Sequence, residues 1–131
     1  MSYFEKLKSL KDNFNGEKPL SFETEEEFYY ACGQTYNYAV SKAGGKKNMF
    51  LFNVIMTAKT PEAVRKSVKD IITRYNHAID SNNRFFKAVV AAIMSYEPKE
   101  KILSDSSQNV LWAGCLEKCV YYTKKKENEE E

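Results

Sequence analysis

The sequence predicts an all-α fold, a compact bundle of about five helices. Apolar residues recur at helical spacing along most of the chain, few runs alternate with period two, and only 5 of the 131 residues are glycine. At 43% hydrophobic and 29% charged residues, a chain of this length has room for one core and needs no disulfide or metal to hold it. Residues 1–126 are expected to form one domain, with a leading helix over 2–14 and the main bundle over 24–123. The acidic tail, 127–131, is expected to be disordered.

In the leading helix, Tyr3, Phe4, Leu7, Leu10 and Phe14 mark one face, with Asn15-Gly16 as the stop and Pro19 barring continuation. Thr24 stands three residues before Glu27, the spacing of a capping box, and Glu25 and Glu26 suit the positive end of a helix dipole. The helix opened there runs through Phe28 to about Lys42 and ends at Gly44-Gly45. Met49 to Met56 is short enough for a strand, but its neighbours favour a buried helix. Thr60 then caps, Pro61 takes the first helical position and Glu62 complements the dipole. Behind them Val64, Val68, Ile71, Tyr75 and Ile79 form one stripe, opposite Lys66, Lys69, Thr73 and His77. Arg84 to Tyr96 has little polar face, so it is expected at the centre of the bundle or against another subunit. Pro98 closes it. Lys99 to Asn109 reads as polar loop with capping serines, and Val110 to Thr123 as the last helix.

The longest unbroken apolar run, Ala88 to Met94, falls far short of the roughly 18 residues of a membrane span. Met1 to Lys6 lacks the pattern of a secretory signal, and three cysteines suit a reducing compartment, so the expected location is cytoplasmic. The net charge of +2 conceals a sorted distribution: residues 1–27 sum to −3, 28–126 to +9 and 127–131 to −4. A basic body favours a polyanionic partner, although a solvated lysine-rich surface would have the same composition.

Catalytic groupings are sparse, and an enzyme is not expected. His77, the one histidine, lies near Arg74 and Asp80 on a polar face, where solvation outweighs general-base chemistry. Cys115 and Cys119 sit at i, i+4 without the C-x2-C spacing of zinc sites, and with Cys32 they read as buried thiols; no metal or cofactor is expected. Gly44-Gly45-Lys46-Lys47 lacks the upstream glycine and the following Ser/Thr of a phosphate-binding loop. Basic residues do recur where a groove could form, and the candidate nucleic-acid-binding set is Lys42, Lys46, Lys47, Arg65, Lys66, Lys69, Arg74, Arg84 and Lys87. Converging, they would make a positive stripe that holds phosphates without reading sequence. Tyr29, Tyr36, Tyr75 and the phenylalanines fall mostly on apolar stripes, which assigns them to packing rather than base stacking.

Phe28-Tyr29-Tyr30-Ala31-Cys32-Gly33-Gln34, followed by Tyr38, Ser41 and Lys42-Ala43-Gly44-Gly45-Lys46-Lys47, resembles the C-terminal region of the large subunit of type I-B CRISPR Cascade complexes. The likeness continues in order through Arg74-Tyr75-Asn76-His77-Ala78-Ile79, Arg84-Phe85-Phe86, Ile93-Met94-Ser95-Tyr96 and Leu111-Trp112-Ala113-Gly114, covering about residues 24 to 122. In that family the region is a helical bundle that is also made as a separate small subunit from an internal translation start. The resemblance implies a non-enzymatic scaffold, several copies of which line the crRNA-bound backbone filament and help accommodate target DNA and the displaced strand. It implies as partners the backbone subunits, the large subunit, neighbouring copies and the crRNA with target DNA, with no membrane. For the tyrosines, Gly33, Gln34 and Trp112 it implies roles in the fold or in subunit packing.

Overall fold

The computed structural model describes residues 2–44, 50–80 and 82–122. Among these it has six α-helices and no strand: α1 (Tyr3–Asp12), α2 (Glu25–Lys42), α3 (Phe50–Met56), α4 (Pro61–Arg74), α5 (Arg84–Ser95) and α6 (Asp105–Leu116). Short 3-10 turns follow α4, at Asn76–Ala78, and α6, at Val120–Tyr122.

Most helix starts follow from local chemistry. The Thr60 hydroxyl accepts from the Ala63 N–H at 3.1 Å with Pro61 in the first turn, as expected. Thr24 caps α2 by accepting from the Glu27 N–H at 3.2 Å. The complete reciprocal box lies on α1: Ser2 accepts from the Glu5 N–H and the Glu5 carboxylate accepts from the Ser2 N–H. Helix α6 begins earlier than its apolar pattern suggests. The Ser104 hydroxyl accepts from the Ser107 N–H at 3.1 Å, so residues 105–109, read above as loop, form the first turns. It also ends earlier, at Leu116, because side chains of α2 take the carbonyls that a longer helix would bond internally.

The central helix is α2, not α5. Every residue from Phe28 to Val40 is buried, including Gln34, Thr35 and Asn37 in the middle of the run. These three polar groups are tolerated because each has a partner. Gln34 donates to the carbonyls of Gly114 at 2.8 Å and Lys118 at 3.1 Å, and its carbonyl oxygen accepts from the Val120 N–H at 2.7 Å. Asn37 donates to the Glu117 carbonyl at 2.9 Å, and the Thr35 and Tyr121 hydroxyls share a 2.9 Å hydrogen bond. Two glycines let α2 and α6 approach this closely. A methyl group on Gly33 would lie 2.5 Å from the Leu111 carbonyl oxygen, and one on Gly114 would lie 2.6 Å from that of Tyr30. Helix α5, expected at the centre or against another subunit, is not central: it exposes Arg84, Lys87, Ala91 and Ser95 and buries Phe85, Phe86, Val89, Ala92 and Ile93. Its polar face is narrow because Ala91 contributes to it.

Candidate nucleic-acid interface

Which charges share a surface depends on the helix directions. Phe28, near the start of α2, stacks on Tyr96 at 4.9 Å, while Tyr38, near its end, packs on Phe86 at 5.0 Å, so α2 and α5 are antiparallel. Arg65, in the second turn of α4, donates to the carbonyls of Ile93 at 3.1 Å and of Tyr96, so α4 and α5 are antiparallel too. One end of the bundle therefore gathers the starts of α2 and α4 with the end of α5. The other gathers the ends of α2 and α4 with the start of α5.

The two ends carry opposite charge. Glu25, Glu26 and Glu27 open α2, Glu62 opens α4, and Glu100 follows α5, its N–H donating to the Glu25 carboxylate at 3.2 Å. The opposite end holds Lys42, Arg74, Arg84 and Lys87, all exposed, together with the exposed His77. Among the described residues none of the four cations is ion-paired. The Lys42 ammonium lies 5.7 Å from the Tyr38 ring centre and 5.5 Å from that of Tyr122, an aromatic setting that holds it in place without neutralising it. Arg74 lies over the Tyr75 ring at 5.3 Å. Arg84 lies against the turn at Gly16, where φ is +79° and an added methyl group would fall 2.0 Å from Nη2. Lys87 borders a shallow apolar groove with Asp80, whose carboxylate also accepts from the Asn82 N–H at 2.9 Å.

Helix stability accounts for half of this arrangement. Acids at helix starts and Lys42 and Arg74 in last turns complement the macrodipole. Arg84 and Lys87 do the reverse: they stand at the positive start of α5, whose first turn has no acid, and each opposes the dipole by about 0.3–1 kcal/mol.

The remaining candidates are elsewhere. Lys46 and Lys47 lie outside the described residues. Lys66 and Lys69 are exposed on the outer face of α4 beside Glu62 and Asp70, and Lys66 pairs with Asp70 at 2.6 Å. That face is close to neutral. Arg65 is half-buried, lies over the Phe28 ring at 5.7 Å and serves as the C-terminal cap of α5. The nine residues thus do not form one stripe: four gather at one end, and three spread along α4. Sequence reasoning missed the aromatic support of Lys42. The i, i+4 spacing from Tyr38 could have shown one ring, whereas Tyr122 arrives by a long-range contact.

All three cysteines are buried, and no two of them form a disulfide. Burial pushes the Cys115 thiol up to about 12 and raises Cys32 further, which leaves both as packed apolar groups. Among the described residues no three His, Cys, Asp or Glu side chains cluster to hold a metal, and no helix is long and apolar enough to cross a membrane. No family model, curated protein or solved structure matched the chain.

Proposed function

We propose that the chain is the non-enzymatic small subunit of a type I CRISPR RNA-guided surveillance complex, acting in the cytoplasm. In this reading it stabilises the backbone assembly beside the large subunit and neighbouring copies. Its basic end holds target or displaced DNA strand through phosphate contacts that ignore sequence. The ordered blocks from Phe28 to Gly114 support the family, and the basic end supports the nucleic-acid role.

One observation carries most of the weight: Arg84 and Lys87 occupy the helix end where cations are disfavoured, and there they join Lys42 and Arg74. Charges placed against the local helix energetics need another reason, and a phosphate chain supplies one. Four phosphate contacts to a single strand correspond to a slope of about −3 in log affinity against log salt. Fluorescence anisotropy with labelled poly-pyrimidine and mixed-sequence strands should give this slope and similar affinities for both. Salt-insensitive binding, or strong preference for one sequence, would count against the proposal. A second reading, a purely structural interaction module, draws on the exposed apolar face of α3 and α6. Copurification with backbone subunits without measurable nucleic-acid affinity would favour it.

A further inference from the structure

In the 3-10 turn Val120-Tyr121-Tyr122 the first two residues are committed to the core. The Val120 N–H donates to the Gln34 side chain at 2.7 Å, and the Tyr121 hydroxyl is shared with that of Thr35. Tyr122 is the exception. Its ring centre lies 5.5 Å from that of the buried Tyr38 and 5.5 Å from the Lys42 ammonium, yet the residue is 52% exposed. Tyr38 also packs on Phe86, so Tyr122 stands one ring away from the start of α5, which carries Arg84 and Lys87. An open aromatic surface therefore lies within the basic end, beside one of its four cations. Phosphate contacts alone leave it unused.

We infer that Tyr122 is a base-stacking platform and that with Lys42 it forms a contact for one nucleotide of a single strand, the phosphate on the ammonium and the base on the ring. This deepens the proposed nucleic-acid role and rests on it. The pairing of groups selects the occupant. Each nucleotide of an unpaired strand brings a negative charge and a flat π-face one sugar apart, which is what an ammonium beside an open ring can meet together. A duplex keeps its bases stacked on one another and out of reach of such a ring. A lipid surface supplies the phosphate and no base. Because every base has a π-face, the contact tolerates any sequence, as the proposed function requires. Stacking releases no counterions, so it adds affinity that salt does not remove.

Fluorescence anisotropy of the whole chain over a salt series tests it, with two labelled strands of equal length, one of thymidines and one abasic throughout. The wild-type chain should bind the thymidine strand about fivefold tighter or more, the low end of what one base–aromatic stack contributes, with the same salt slope for both strands. Tyr122→Leu should lose that margin and keep the slope, and Tyr122→Phe should retain both. Circular dichroism confirms that each variant folds, and the comparison of strands on the wild-type chain needs no variant. A loss in Tyr122→Leu that is equal on both strands, with the slope reduced by about 0.7, would show that the ring only positions Lys42 and would overturn the inference. Equal wild-type affinity for the two strands would overturn it as well and leave the phosphate contacts standing. A wild-type chain that binds neither strand would remove the nucleic-acid role and the platform with it.

Discussion

On the side of α6 that meets α2, Gly114 and Gly33 bring two backbones into contact, and Gln34 closes the polar groups behind them. On the opposite side Trp112, whose indole N–H donates to the Met56 carbonyl at the end of α3, and Leu116 stand partly in solvent. One twelve-residue helix thus has a side on which almost nothing can change and another that the fold leaves unspent. The difference lies in what each side must satisfy. The inner side has to accommodate buried backbone and amide groups as well as apolar surface, and those groups need partners at fixed positions. The outer side has only apolar area, which can wait for a partner.

The largest effects should come from the inner side. Gly114→Ala or Gly33→Ala forces a methyl group into a carbonyl oxygen of the facing helix, and about 3 kcal/mol or more of stability should be lost. Urea denaturation of either variant measures this, and a loss below 1 kcal/mol would mean that the helices separate easily and that the two sides are not so different. Alkaline pH probes the same side. Burial raises Cys115 from 9.0 to about 12 and Tyr36 from 10.0 to about 12. The neutral forms are kept by the folded state, so their contribution is complete below pH 9. It falls as the unfolded chain ionises, by roughly 1.4 kcal/mol per pH unit per group, until the folded pKa is reached. Stability measured from pH 8 to 11 should decline from about pH 9 and more steeply past 10; a flat profile would contradict the burial. Arg65→Met should cost a smaller amount, about 1–2 kcal/mol, by removing its bonds to the last carbonyls of α5. Single-strand affinity should hold in that variant, and a large loss of affinity with full stability would return Arg65 to the binding surface.

Much of the fold was legible because its signals are local. Thr60-Pro61-Glu62 announced α4, and Thr24 to Glu27 announced α2. Ser104-Asp105-Ser106-Ser107 misled, since polar residues that form a loop in one context form a capped first turn in another. The central place of α2 was hidden for a related reason. Gln34, Thr35 and Asn37 look like a polar face until their partners, some 80 residues away, are in place. The candidate site divided along the same line. A basic body could be read from composition, but its sorting into a basic end depends on the relative directions of α2, α4 and α5. Nor could sequence distinguish Arg65, committed to two carbonyls, from its exposed neighbour Lys66.

The basic end is tested most directly by the double variant Arg84→Glu with Lys87→Glu, followed by single-strand anisotropy and thermal unfolding together. At the start of α5 the new acids complement the dipole that the native cations oppose. Affinity should therefore fall at least tenfold while thermal stability stays level or rises. Unchanged affinity would contradict the central claim, and so would an affinity lost only because the bundle had become less stable.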